Sequence, residues 1–262
     1  MISSITISGI TFHLYGLIIG VAVAVAYTMT KKLTGRLYPQ GEITRHDIDQ
    51  SFWWLVGGGL IGARLYHVID YWAYYAKHFV EIPAVWRGGL GIYGAIAGGI
   101  AGAMVWSRRR RKLLCLIDVV AVNLPLSQAM GRWGNFINQE IYGWPTTLPW
   151  GVYIDPTHRF TGYEMSAYYH PLFLYEMVWS LVGWGLLWRL GINRKLITGK
   201  GNYGLVYLFW YALGRTLLEP LKLSPLESSK VMAISVGVVI MIATGFVYLY
   251  RRKQHEWAVL AD

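Results

Sequence analysis

Seven apolar stretches punctuate this 262-residue chain, near residues 11–29, 52–70, 89–107, 113–131, 171–190, 203–220 and 231–250. Each is close to the roughly 20 residues a helix needs to cross a ~30 Å hydrocarbon core. Backbone groups in lipid must be satisfied within their own segment, so the stretches are expected to be helices and not strands. The second is the least regular, because Arg64, His67 and Asp70 interrupt its end. Composition agrees: only 15% of residues are charged, against roughly 25% in a soluble domain. So few charges exclude both disorder and ordinary cytosolic globularity. The predicted fold is an all-α polytopic membrane protein, one transmembrane domain over residues 1–262 with seven helices.

Charge sets the orientation. Sixteen Lys and Arg fall on one side of the predicted helices, in the 31–45, 108–112 and 189–200 links and the 251–253 tail, against five on the other side. The positive-inside rule then places the N-terminus outside and the C-terminus in the cytoplasm. It also accounts for the net charge of +10 without nucleic acid. The N-terminus lacks the basic region of a cleavable signal peptide, so the first apolar run is expected to be retained. Residues 141–170, rich in aromatic and turn-forming residues, read as a small extracytoplasmic cap between helices 4 and 5. The single cysteine, Cys115, excludes a disulfide framework. His46, His78, His158 and His255 have no ligand-like spacing, so no metal is expected.

Ionisable side chains within spans cost roughly 2.5–3.5 kcal/mol each at mid-bilayer, and each needs a reason. Following the helices in their deduced directions brings the unusual polar residues to one depth, in the outer leaflet. They are Tyr15 on helix 1, Arg64 and His67 on helix 2, and Gly88, Gly89 and Tyr93 at the entry of helix 3. The end of helix 4 adds Arg132, Asn135, Asn138 and Glu140. Helix 5 adds His170, Tyr175 and Glu176, and helix 6 adds Arg215 and Glu219. Asp118 stands apart and reads as a partner for Arg111 or Lys112. Plainer readings exist for several of these. Arg64 serves equally well as an arginine snorkelling to lipid phosphate, and Arg215 and Glu219, at i and i+4, can satisfy each other. Gly98, Gly99 and Gly102 read chiefly as small residues at a helix–helix contact.

Two membrane-embedded arginines on different helices make a clamp for an anion, and the anion available at that depth is a phospholipid phosphate. Neighbouring Asn, Tyr and Glu groups suit the hydroxyls of a polyol headgroup. Gly88 and Gly89 would let a headgroup approach backbone. The competing class is a transporter or lipid-binding scaffold; a transporter would be expected to carry polar groups along a path to both faces.

The motif GRWGNFINQEIYG (residues 131–143) resembles the signature of the bacterial prolipoprotein diacylglyceryl transferases. Further segments resemble the family's other motifs in family order over residues 12–222: FHLYGL, GARLYHV, WRGGLGIYGAIAGG, PTTLPWGV, HPLFLYE and GRTLLEPLK. The last helix is generic. The resemblance implies a seven-helix enzyme of the bacterial inner membrane that catalyses the first step of lipoprotein maturation. Such an enzyme moves the sn-1,2-diacylglyceryl group of phosphatidylglycerol to the lipobox cysteine of a prolipoprotein signal peptide, and glycerol phosphate leaves. No cofactor is implied. By position, it points to Arg132, Asn135, Asn138, Glu140, Arg215 and Glu219 as the core of the site, with Tyr15 in support. We expect Arg132, Arg215, Glu140 and Tyr93 to be catalytic. Tyr15, Arg64, Gly88, Gly89, Asn135, Asn138, His170, Glu176 and Glu219 are expected to bind substrate. Tyr93 stands where some members carry a histidine proposed as the base, and Leu172 and Phe173 stand where Ser-Gln is common.

Overall fold

A computed structural model describes residues 4–7, 10–224 and 227–261. In chain order it contains strands β1 (Ser4–Ile7) and β2 (Ile10–His13), then helices α1 (Leu14–Leu37), α2 (Arg45–Asp70), α3 (Trp72–Tyr75), α4 (Ile92–Ser107), α5 (Leu113–Ala121) and α6 (Leu124–Ile137). Strands β3 (Val152–Tyr153) and β4 (Tyr168–Tyr169) precede helices α7 (Leu172–Ile192), α8 (Asn202–Leu218) and α9 (Glu227–Ala261). A helix covers most of each apolar stretch. Helix α1 and residues 229–254 of α9 are each long and apolar enough to cross a membrane, and α5 with α6 makes a third if counted as one bent span. The chain is a helical membrane protein. It divides into two compact units, residues 38–116 and residues 1–37 with 117–262.

The 38–116 unit is built on an antiparallel pairing of α2 with α4. The glycine spacing of four residues in both helices lets their backbones meet. A Cβ on Gly98 would overlap the Gly58 carbonyl oxygen, one on Gly94 that of Gly62, and one on Gly102 that of Trp54. Gly99 is different: a Cβ there would meet only the Leu55 carbonyl, at 3.6 Å. The expected seam therefore runs through Gly94, Gly98 and Gly102, and Gly99 lies off it because a four-residue repeat keeps one helix face. Helix α2 opens on a capping box. The Asp47 N–H donates to Thr44 Oγ1 (3.2 Å) and the Thr44 N–H to Asp47 Oδ2 (2.8 Å). Lys112 Nζ also reaches Asp47, at 2.8 Å. Burial raises the Asp47 pKa, but the Lys112 and Thr44 bonds outweigh it and hold the carboxyl below its ordinary range.

In the other unit, α6 packs against α1 and α7, α7 against α8, and α8 against α9. Three boundaries differ from expectation. The first helix begins at Leu14, because Thr11, Phe12 and His13 belong to β2, which pairs antiparallel with β1. The third begins at Ile92, leaving Gly88 and Gly89 in a loop. The fourth is not one span of 113–131. It bends by 49° between α5 and α6 and runs on to Ile137. Pro125, in the first turn of α6, cannot donate a helical hydrogen bond and so restarts the helix. Arg132 and Asn135 are consequently inside a helix. Asp118, read from the sequence as a partner for Arg111 or Lys112, has backbone partners. It is buried and accepts the backbone N–H groups of Gly199 (2.9 Å), Gly201 (3.2 Å) and Tyr203 (3.0 Å), so it caps the start of α8.

Candidate functional site

The signature segment builds the first half of the site. Helix α6 ends at Ile137 with Asn138 as its cap, and the chain then turns left-handed at Gln139 (φ 53°) and Ile141 (φ 56°), on either side of Glu140. For a β-branched residue this is a steric outlier, costing roughly 1–3 kcal/mol. The turn is held from outside. Buried Gln139 donates through Nε2 to Asp155 Oδ2 (2.5 Å) and accepts the Asp155 N–H through Oε1 (2.6 Å). Glu140 is thereby folded back over the last helical turn. Its Oε1 accepts from Asn135 Nδ2 (2.9 Å) and from Asn138 Nδ2 (3.3 Å).

Charge continues across three helices. Arg132 donates through Nη1 to Asn135 Oδ1 (3.0 Å), and its Nη2 lies 2.6 Å from Glu176 Oε2. Glu176, on α7 and only 5% exposed, accepts through Oε1 from Arg215 Nη1 on α8 (2.9 Å). Arg215 Nη2 also bonds Glu219, which has Lys222 at 3.8 Å. Arg215 thus pairs with Glu219, one of its two expected roles, and with Glu176 as well. The contact between Glu176 Oε2 and Arg132 is a charge contact without an aligned hydrogen bond. Two guanidiniums and two carboxylates alternate, and their charges cancel.

The α7–α8 spacing is fixed one turn away. The indoles of Trp179 and Trp210 stack at 4.4 Å, and each N–H donates to the other's carbonyl, at 3.2 and 3.1 Å. Gly183 and Gly214 make room, since a Cβ on either would overlap the facing indole. On the opposite flank the Tyr15 ring lies against Gly134 of α6, again where a Cβ would not fit. Residues 141–170 fold as a small unit with a core of Tyr142, Ile154 and Tyr169, joined by Leu223. Tyr142 donates to the His158 carbonyl (2.6 Å), and burial pushes its hydroxyl pKa up. His170, at the junction with α7, pairs with Tyr175 (3.1 Å), whose oxygen also accepts from Trp150 Nε1 (2.9 Å).

The remaining expected residues lie in the 38–116 unit. Arg64 is 6% exposed and does not snorkel. It donates to the carbonyls of Glu81 (2.6 Å), Ile82 (2.7 Å), Gly88 (2.9 Å) and Gly89 (3.2 Å), with its guanidinium over the Tyr75 ring. Its observed work is to shape the 81–89 loop. Gly88, at φ 84° and ψ −153°, occupies a region open essentially to glycine alone. A Cβ on Gly89 would come within 2.5 Å of the His67 ring. Tyr93 is 69% exposed, and its ring meets that of Tyr66.

Arg132, Asn135, Asn138, Glu140, Glu176, Arg215 and Glu219 therefore form one bonded network, with Tyr15 of α1 packed against α6 beside it and His170 in a pair of its own. Sequence reasoning passes over Gln139 and Gly134. The partner of Gln139 lies 16 residues on, in the cap, and no local spacing announces it. Among the described residues no cluster of three or more His, Cys, Asp or Glu is arranged to hold a metal ion.

A family model described as prolipoprotein diacylglyceryl transferase matches residues 3–251. A phosphatidylglycerol–prolipoprotein diacylglyceryl transferase of Acaryochloris marina is 40% identical over 241 residues, covering 89% of this chain and 87% of that protein. The proteins of the same name from Fervidobacterium nodosum and Synechococcus elongatus are each 37% identical. They cover 88% and 95% of this chain, and 78% and 88% of their own length. With nearly its whole length matched, the chain belongs to the prolipoprotein diacylglyceryl transferase family.

Proposed function

We infer that this chain transfers the sn-1,2-diacylglyceryl group of phosphatidylglycerol to the thiol of the lipobox cysteine of a prolipoprotein. A thioether forms and glycerol phosphate leaves, the first step of lipoprotein maturation. The observation that carries this reading is the Arg132–Glu176–Arg215–Glu219 network, joined through Asn135 to Glu140. In the reaction sulfur attacks the glycerol C3 carbon, the C3–O bond breaks and the phosphate oxygen keeps the electron pair. Arg132 and Arg215 hold the phosphate and favour the transition state over the diester, because charge grows on the oxygens they face. Asn135, Asn138, Glu140 and Glu219 orient the headgroup hydroxyls and the guanidiniums. A thiol with pKa of about 8.5 is a few per cent thiolate at neutral pH and needs modest help. Tyr93 is a positioning group, so Tyr93→Phe retains substantial turnover and a similar pH profile. Lost turnover with lipid binding intact would instead make its hydroxyl a chemical participant. Arg64, Gly88 and Gly89 act through the loop they shape, and His170 and Tyr15 line the substrate's path.

The seven helices cross a bacterial inner membrane as one domain. The N-terminus is outside, the C-terminus cytoplasmic, the cap extracytoplasmic and the site in the outer leaflet. This reading is supported by the Lys and Arg asymmetry of the links. Mixing purified protein with phosphatidylglycerol and a lipobox peptide tests the activity: no diacylglyceryl mass on the cysteine would leave a transporter or scaffold. A Thr157→Cys variant tests the topology. It should react with a membrane-impermeant thiol reagent in intact cells, and labelling only after the membrane is opened would reverse the orientation.

A further inference from the structure

We propose that Glu176 is the group that expels the product. It bridges Arg132 and Arg215; it gives way to the phosphate of an incoming lipid, whose acyl chains add apolar binding that glycerol phosphate lacks, and returns to displace glycerol phosphate after transfer. The proposal rests on the reading of those arginines as the phosphate-binding pair.

The need follows from the reaction's own balance. Sulfur's electron pair forms the S–C3 bond, the C3–O pair stays on the phosphate oxygen, and the thiol proton passes to water. The phosphate goes from a diester with one negative charge to a monoester able to carry two. Guanidiniums arranged to favour that growing charge hold the product more tightly than the substrate. Release then becomes the step that limits turnover unless something competes for the same donors.

Glu176 is placed to compete. Among the carboxylates of the network it alone meets both arginines, Oε1 at 2.9 Å from Arg215 and Oε2 at 2.6 Å from Arg132. Glu219 meets Arg215 and Lys222, and Glu140 bonds Asn135 and Asn138. The side chain is 6% exposed and sits on a helix held by the Trp179–Trp210 stack, so it cannot drift away when displaced. A tethered competitor acts at a high effective concentration. The contact to Arg132 also lacks an aligned hydrogen bond, so a phosphate oxygen that supplies one can replace it.

The test compares single-turnover transfer with steady-state turnover, and measures inhibition by added glycerol phosphate, in wild type, Glu176→Gln and Glu176→Asp. For Glu176→Gln the steady-state rate should fall at least about tenfold further than the single-turnover rate. Glycerol phosphate should inhibit it at a concentration lower by about tenfold or more. Glu176→Asp, with its shorter reach, should lie between, and it carries the test if the glutamine variant fails to fold in detergent. Equal losses in the two rates, or an unchanged inhibitory concentration, would overturn the proposal. If Arg132→Gln and Arg215→Gln leave inhibition by glycerol phosphate unchanged, the phosphate reading itself fails, whatever Glu176 does.

Discussion

Replacing Arg132 or Arg215 by lysine keeps the positive charge and removes the fork. Each guanidinium uses two nitrogens for two partners: Arg132 for Asn135 and Glu176, Arg215 for Glu176 and Glu219. A lysine has one nitrogen in place of the fork, so at least one bond made by a charged group, worth about 1.5–3 kcal/mol, is lost. On the proposed mechanism the larger loss comes when charge develops on the leaving oxygens. Removing one preorganised donor there typically costs ~3–4 kcal/mol, or about 10²–10³ in rate. Either lysine variant should therefore lower kcat by at least about two orders of magnitude. The remaining ammonium still pairs with a glutamate, so the fold should survive. The assay follows the mass of a lipobox peptide in micelles of phosphatidylglycerol, with thermal unfolding measured in parallel. Near wild-type turnover in both variants would mean that charge neutralisation suffices, and the two-point clamp would have to be abandoned.

Arg64→Lys should lower thermal stability and speed proteolysis within residues 77–87, because one ammonium cannot serve the four carbonyls that Arg64 now holds; unchanged proteolysis would refute its role in shaping that loop. Gly98→Ala should destabilise by about 1–3 kcal/mol through helix separation, whereas Gly99→Ala, which faces an ordinary 3.6 Å contact, should not; equal melting temperatures in detergent would refute the seam. The Asp47 carboxyl is held below its ordinary range, so its stabilising contribution is present above about pH 4 and is lost as pH falls through the lowered value. Asp47→Asn should start less stable at neutral pH and lack that part of the acid loss in a melting series.

The helices were legible because apolar runs of membrane length leave the backbone few options, and a close contact on α4 because clustered glycines in a span have few other uses; that its partner is α2 was not. The polar residues of α6, α7 and α8 were legible as a group because charge inside a span needs a reason. Their wiring was not. Arg215 with Glu219 is an obvious i, i+4 pair, yet the bridge through Glu176 joins residues 39 positions apart and exists only once α7 and α8 are stacked. The partners of Arg64 were not legible, because a sequence shows no carbonyls, and those of 81, 82, 88 and 89 converge on it only after the loop folds back. The break at residues 122–123 was signalled by Pro125, but the apolar run through it hid the signal.

The strained turn beside Glu140 and the cap belong to one device. An isoleucine at φ 56° persists only if its surroundings fix it, and the fixing comes from Gln139 bound twice to Asp155 of the cap. The cap is fastened in turn to the end of α8. The Trp144 N–H donates to the Leu221 carbonyl (3.3 Å) and its indole to that of Pro220 (3.1 Å), the Leu223 N–H donates to Tyr142 (3.4 Å), and Leu223 enters the cap core. The chain just past Arg132 and the chain just past Arg215 are thus both tied to the same small folded unit. Electrostatic stabilisation of a developing charge needs its donors held to within about half an ångström. Two helices free to slide could not keep two guanidiniums to that tolerance. A splint across their ends can, and the strain at Ile141 is the local cost of bending the signature segment into it.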